Sequence, residues 1–386
     1  MGLDGPRLTE MLAAALDGSG PALLPLSAEA PTAMVRAQLA EMRPESVCDA
    51  DGRHSADQRT PLPVDADTAL VIPTSGSTGK PKGVELSAHA LRHSTRASLQ
   101  RIGAEHSRAP WLCVLPTNHI AGIQVLLRAL ATDAPVVHSP FDPVAVAEQA
   151  ARHHPHVSLV PTQLRRLLEA EMDLSQFRSI LLGGAAADRD LVRTATARGG
   201  RIHTTYGMSE TCGGCVYSGY PLQGVEVALD SAGIIHLGGA MVCRGYRLAP
   251  ELTAARISVQ SDTRWLATSD VGSWDEQGRL QVHGRVDDVI NSGGHKIVAE
   301  EVAARLRTHP KVAEAVVVGI ADDEWGEKVL AWIVPHDTNR PPRLTELRDW
   351  VRGHLPGYAA PRELRVRSAL PLLPSGKPDL TTLREG

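Results

Sequence analysis

The densest collection of phosphate-binding chemistry in the sequence is Thr74-Ser75-Gly76-Ser77-Thr78-Gly79-Lys80-Pro81-Lys82-Gly83. Four hydroxyls and two glycines fall in its first six residues, and Lys80 and Lys82 follow them. Glycine lets a backbone wrap closely round an anion, so that amide N–H groups, hydroxyls and ammonium groups converge on phosphate oxygens. A Walker-type loop, G-x-x-x-x-G-K-[ST], is excluded by spacing. Gly76 stands too close to Gly79-Lys80, and Pro81 occupies the place of the Ser or Thr. A polar turn is the competing reading of this string taken alone.

Three further stretches pair chemistry-bearing residues in a fixed order. They are Thr205-Tyr206-Gly207-Met208-Ser209-Glu210-Thr211, then Ser269-Asp270 with Gly284-Arg285-Val286-Asp287-Asp288-Val289-Ile290, then Pro374-Ser375-Gly376-Lys377. Tyr206 offers a flat face for stacking. Glu210 offers the hard carboxylate oxygen that Mg²⁺ prefers. Each alone is commonplace; a Tyr-Gly turn, a turn aspartate or a Gly-Lys pair needs no function. Together, over residues 67 to 380, they resemble the adenylate-forming superfamily: acyl- and aryl-CoA ligases, luciferases and peptide-synthetase adenylation domains.

The resemblance implies an ATP site. Thr74, Ser75, Gly76, Ser77, Thr78, Gly79 and Lys80 would hold the phosphates. Tyr206 would lie along the adenine within Thr205-Tyr206-Gly207-Met208-Ser209, with Thr211 closing the segment. Gly184, Ala185 and Ala186 would lie beside the base, and Glu210, with Thr78, would hold Mg²⁺. Asp270 would accept the ribose hydroxyls, a task suited to an ionised carboxylate, and Arg285 would support ribose and phosphate. Many members carry Gly where Ser269 stands. Lys377 matches the mobile lysine that neutralises charge as a carboxylate attacks the α-phosphate; Thr78, Lys80 and Glu210 join it as expected catalytic residues. Asp287 matches the hinge, and Gly293, Gly294 and His295 would face the pantetheine arm of coenzyme A.

These residues need a scaffold, and the pattern supplies one. Ala69–Ile72 is an apolar run that reads as a buried strand leading into the loop. Residues 8–16 and 33–42 have helical spacing, 48–66 read as a surface loop, and Ser87 is placed to cap a helix through Leu91 and Leu99. Strands at 111–115, 134–138, 158–160 and 179–182 alternate with helices at 121–130, 143–152, 163–170 and 188–198, the signature of α/β layers with parallel sheet. From Gly213 onward, short alternating runs predict an antiparallel subdomain. The expected class is therefore α/β: a large N-terminal domain, 1–283, of α/β layers with a β-rich subdomain. A small α+β C-terminal domain, 284–386, is expected to follow, and the resemblance implies that it is mobile and turns near Asp287.

The bulk numbers narrow the partners. The 386 residues carry net charge −4, with 42% hydrophobic and 22% charged residues. That balance offers no general attraction to nucleic acid or anionic membrane. No apolar run approaches the roughly 18 residues that span a bilayer. The N-terminus does not read as a signal peptide, so a cytoplasmic protein is expected; a homodimer is left open. The five cysteines are an odd number in a long chain, which argues against a disulfide framework. Cys212 and Cys215 form C-x-x-C without the partners of a zinc or redox site. His153-His154-Pro155-His156 reads as a solvated loop.

The acid is read from Leu115 to Leu126 and from Tyr206 to Tyr217. Both segments, and the short stretch ahead of Thr74, resemble the o-succinylbenzoate–CoA ligases of menaquinone biosynthesis. The resemblance implies two-step activation of an aromatic carboxylic acid, with ATP, Mg²⁺ and coenzyme A. His119 is the candidate polar anchor for the acid, against the reading of a core histidine. Gly183, Gly184, Gly213 and Gly214 would leave room for its ring. A ligase for another acid, a free-standing amino-acid adenylation enzyme and a non-catalytic adenylate binder stay open.

Overall fold

The computed structural model describes residues 5–27, 29–49, 52–55, 60–75, 81–185, 189–372 and 378–386. Packing divides the chain into two compact units, 1–228 with 236–267, and 229–235 with 268–386. The boundary falls inside the strand Thr263–Trp274.

The first unit contains a seven-stranded sheet. In spatial order its strands are Tyr220–Pro221, Gly213–Tyr217, Ile202–Met208, Ser179–Leu182, His156–Leu159, Trp111–Cys113 and Val136–His138. The last five run parallel, and the first two are antiparallel additions at one edge. Three of the parallel strands are buried along their whole length, as expected where helices cover both faces. The covering helices, Ile120–Thr132, Pro143–His153, Pro161–Glu169 and Arg189–Ala197, connect successive strands, the crossover that parallel pairing demands. His156 is not in a solvated loop. It opens a buried strand, 4% exposed, with its ring stacked on Trp111 at 4.8 Å.

A second, three-stranded sheet carries the phosphate-loop motif. Thr68–Ser75 pairs antiparallel with Pro81–Ser87, which pairs with Gly245–Tyr246. The strand Pro81–Ser87 was not expected from the sequence, although buried Val84 and Leu86 flank half-buried Glu85. The stretch expected as a loop over 48–66 overlaps an antiparallel ladder, Ser46–Asp49 with Gly52–Ser55. Ser87 accepts the Ala90 N–H at 3.1 Å and caps the helix Ala88–Arg101. Arg247, 7% exposed, donates to the carbonyls of Met42, Leu62 and Pro63 and pairs with Glu85 at 3.2 Å. It thereby ties Met42, Leu62 and Pro63 to this sheet.

The second unit has its own core. Strands Val289–Ser292, His295–Val298, Val312–Asp322, Gly326–Pro335 and Glu363–Val366 form a sheet. Helices Ala299–Arg307 and Leu344–Arg352 bury Val302, Leu306, Leu347 and Val351 against Val329, Ala331 and Ile333. Among the described residues, no helix is long and apolar enough to cross a membrane.

Candidate nucleotide and acid site

The hairpin Thr68–Ser75/Pro81–Ser87 sets Thr74 opposite Lys82 and Ser75 opposite Pro81. The Thr74 hydroxyl reaches the Lys82 carbonyl at 3.4 Å. The five residues joining the strands, Gly76, Ser77, Thr78, Gly79 and Lys80, lie outside the described residues, as do Ala186 and Lys377.

Glu210 lies in the short turn Ser209–Thr211 that follows the carboxyl end of the strand Ile202–Met208. Carboxyl ends of parallel strands are where open α/β sheets bind ligands. Glu210 is 8% exposed, and Oε1 accepts the Tyr246 hydroxyl at 2.9 Å. Lys82 Nζ stands 3.6 Å from the same oxygen and 4.6 Å from the centre of the Tyr246 ring. Strand alternation explains this meeting. Tyr246 is opposite Val84, and Lys82, two residues earlier, shares the face of Val84. The Cys243 N–H donates to the Glu210 carbonyl at 2.7 Å, pinning the turn to the segment that leads into Gly245–Tyr246. Burial, then the charge of Glu210, pushes the Tyr246 phenol well above its ordinary pKa, so it remains a donor.

The carboxylate suits Mg²⁺, which binds through one or two carboxylates plus substrate phosphates. The Tyr246 hydrogen bond and the nearest approach of Lys82 both fall on Oε1, and among the described residues no hydrogen bond falls on Oε2. Among the same residues no group of three or more His, Cys, Asp or Glu is placed to hold a metal alone. Lys82 was noted in the sequence only as part of the loop, and Tyr246 was missed. Its partner is 36 positions away in the chain, and no local pattern reports such a pair.

Tyr206 lies on the strand leading into this turn, opposite Val216. Gly207 pairs with Gly214, and a Cβ on Gly207 would clash with the Gly213 carbonyl. The Thr205 side chain fills the space where Gly183 and Gly214 would carry a Cβ. Thr205 therefore accounts for the missing side chain at both glycines. Gly184, at φ +83°, has only Val160 near that position among the described residues, and Ala185 beside it is exposed. Thr211 is fully buried. Its hydroxyl accepts the Met208 N–H at 2.9 Å and donates to the Gly213 carbonyl at 2.7 Å, so it shapes the turn. Ser209 sits half-buried at the turn's start.

His119 is the N-cap residue of the helix Ile120–Thr132 and is half-buried. The next residue, Ile120, and Gln124 are the side chains that a Cβ on Gly213 would meet. Gln124, 2% exposed, donates to the Cys212 carbonyl at 2.6 Å. Cys212 has φ +55°, a left-handed conformation uncommon outside glycine. The helix that begins after His119 therefore braces the segment between Glu210 and Gly213, a link invisible in the sequence. Behind it, Arg128 donates to Ser98 at 2.9 Å and to the Tyr217 hydroxyl at 3.3 Å. Burial pushes the Cys215 thiol up to about 12 and holds Cys212 well above its ordinary value, so neither is poised as a nucleophile.

In the second unit, Asp270 and Arg285 are cross-strand partners in the hairpin Thr263–Trp274/Leu280–Arg285. Asp270 is 7% exposed, and Arg285 Nη1 stands 3.9 Å from its Oδ1. The Thr268 hydroxyl accepts the Asp270 N–H at 3.0 Å and donates to the Ile235 carbonyl at 2.7 Å, fixing the strand at the aspartate. Asp287 lies in the short turn Val286–Asp288. Gly293 and Gly294 join Val289–Ser292 to His295–Val298 with Ser292 opposite His295. Their φ values, +58° and +80°, make a two-residue turn that only glycine, Asn or Asp enters readily. Turn geometry thus accounts for both glycines. The His295 ring stacks on Tyr358 at 4.0 Å.

Against this geometry, the AMP-binding enzyme family matches residues 13–246, and the AMP-binding enzyme C-terminal domain matches 301–377. The chain is 40% identical over 335 residues to a probable 2-succinylbenzoate–CoA ligase of Mycobacterium tuberculosis, covering 83% of this chain and 85% of that protein. It is 33% identical over 333 residues to the 2-succinylbenzoate–CoA ligase of Bacillus subtilis, covering 80% of this chain and 67% of that one. Among solved structures, o-succinylbenzoate CoA synthetase (MenE) from Bacillus subtilis, in complex with the acyl-adenylate intermediate OSB-AMP, superposes with TM-score 0.74 at 31% identity. That match covers 86% of this chain and 72% of the other. The amide bond synthetase McbA from Marinactinospora thermotolerans gives 0.75 at 30%, covering 86% and 71%. The α/β layers of the first unit, the smaller second unit, the buried Glu210 turn and matches along most of the chain agree: this protein belongs to the AMP-binding enzyme family.

Proposed function

We propose that this chain is a 2-succinylbenzoate–CoA ligase that forms an acyl-adenylate and then a coenzyme A thioester, in menaquinone biosynthesis. The observation that carries the choice of acid is the 40% identity with a protein of that name over 83% of the chain. The buried Glu210, fixed by Tyr246 beside the Tyr206 strand, supports the nucleotide half of the reading. ATP and coenzyme A are cytoplasmic metabolites, so the reaction is placed in the cytoplasm.

A carboxylate is a poor acylating agent until it carries a leaving group. Its oxygen attacks the α-phosphorus of ATP and pyrophosphate departs; a thiol then attacks the acyl carbon and AMP departs. The protein's work is positioning and charge neutralisation. In this reading Thr74, Ser75 and the Gly76–Lys80 loop grip the β- and γ-phosphates. Tyr206 lies along the adenine beside Gly184, Ala185 and Ala186. Asp270 accepts the ribose hydroxyls, with Arg285 alongside. Glu210, with Thr78, would hold Mg²⁺, which when bound offsets phosphate charge. Lys377 offsets charge at the α-phosphate in the first step. The small domain turns at Asp287 between steps, withdrawing Lys377 and bringing up Gly293, Gly294 and His295. His119 is the polar anchor on the acid side.

The test is a pyrophosphate-release assay over o-succinylbenzoate, benzoate, amino acids and fatty acids, with coenzyme A, an amine or no acceptor. Release that depends on o-succinylbenzoate, with thioester formed on adding coenzyme A, supports the reading. A product formed only with the amine favours amide synthesis instead.

A further inference from the structure

We propose that Tyr246 is a positioning residue for the divalent cation, holding the Glu210 carboxylate so that Oε1 is occupied by the protein and Oε2 is the oxygen offered to the metal. The inference rests on the reading that Glu210 binds Mg²⁺. Tyr246 is 6% exposed, and its hydroxyl lies 2.9 Å from Oε1. Lys82 stands 3.6 Å from the same oxygen at its nearest approach, and among the described residues no hydrogen bond falls on Oε2.

A carboxylate on a short turn can rotate about its last bond and present either oxygen. Mg²⁺ demands near-ideal octahedral geometry and tolerates little wandering of a ligand. A ligand oriented by its own hydrogen-bonding partner binds metal more tightly, and losing that partner typically costs 10–100-fold in affinity. Tyr246 suits the task because it is itself immobile. Its strand pairs with Pro81–Ser87, its N–H donates to the Thr253 hydroxyl at 2.9 Å, and the neighbouring Cys243 N–H clamps the Glu210 carbonyl. The phenol thus ties the turn that carries the carboxylate to the sheet that carries the phosphate-loop strands. Lys82 adds charge from a longer, partly exposed side chain and sets orientation less strictly.

The experiment is calorimetric binding of α,β-methylene-ATP, which cannot be cleaved at the reacting bond, with and without Mg²⁺. In the native protein Mg²⁺ should raise affinity, and Glu210→Gln should remove that gain. Tyr246→Phe should cut the gain about 10-fold, the low end for a lost orienting partner, with metal-free affinity unchanged within about 2-fold. Equal losses with and without Mg²⁺, or an undiminished gain, would overturn the role of Tyr246. A full gain retained by Glu210→Gln would overturn the Glu210 reading itself, and this inference with it. A nucleotide-free thermal melt reports whether the Phe variant folds. If it does not, 3-fluorotyrosine at position 246, a stronger donor on the same ring, should enlarge the Mg²⁺ gain; an unchanged or smaller gain overturns the proposal.

Discussion

Gly207 lies opposite Gly214 in an antiparallel ladder, so near the Gly213 carbonyl oxygen that no Cβ fits between them. A backbone oxygen cannot swing aside as a side-chain tip can. Gly207→Ala must therefore part the strands that carry Tyr206 on one side and Gly213 on the other. It should destabilise the protein by about 1–3 kcal/mol, the usual cost of overpacking, and weaken ATP binding. Thermal melts with and without ATP check this. An alanine variant with native melting temperature and native ATP affinity would show that the ladder yields freely.

His156 makes stability depend on pH. Its Nδ1 lies 2.8 Å from Ser179 Oγ and its Nε2 3.0 Å from Ser107 Oγ. Burial first, then the charges of Arg178 and Arg128, lowers its pKa from 6.5 to about 4. Between those values the unfolded chain binds the proton and the folded protein does not. The contribution is full above pH 6.5 and is lost as pH falls toward about 4. At about pH 5 the loss should be on the order of 2 kcal/mol, from 1.36 kcal/mol per pKa unit. The native melting temperature should drop more than that of His156→Gln over this window, and parallel curves would exclude His156 as the titrating group.

Much of this architecture was legible in residue order. Ser179–Leu182 and the Pro143–His153 helix read correctly because buried parallel strands are uniformly apolar and helices repeat every few residues. Ser87 was recognisable as a cap from its place before the helix. The strand Pro81–Ser87 escaped because it opens with Pro-Lys-Gly, residues that signal a turn, and its pairing with Gly245–Tyr246 is remote in sequence. The same remoteness hid Tyr246 beside Glu210 and Gln124 beneath Cys212, the latter 88 positions apart. The glycines Gly183 and Gly214 suggested an open pocket, but a sequence cannot say whether a missing side chain leaves room for a ligand or for Thr205.

Lys377→Ala should lower the rate of adenylation by about 10²–10³, the usual cost of removing one preorganised donor. Thioester formation from supplied acyl-adenylate should persist, since the lysine serves only the first step. Stopped assays of each half-reaction separate the two rates. A folded variant that loses both equally would place Lys377 outside the role assigned to it.

His119→Ala should raise KM for o-succinylbenzoate about 10-fold or more, since a hydrogen bond to a charged group contributes roughly 1.5–3 kcal/mol. The second carboxylate of that acid needs donors once it leaves water. Affinity for ATP should stay near native. Benzoate lacks the second arm and should lose little between native and variant. Comparable losses for both acids would make His119 a packing residue at the head of its helix.

The central claim is tested most directly by quenching a reaction of the purified protein with ATP, Mg²⁺ and o-succinylbenzoate and weighing the products. Without coenzyme A, mass spectrometry should find o-succinylbenzoyl-AMP and pyrophosphate. With it, the adenylate should give way to the thioester and an equal amount of AMP. ADP and phosphate in place of AMP, or no adenylate from this acid while another acid is turned over, would contradict the account.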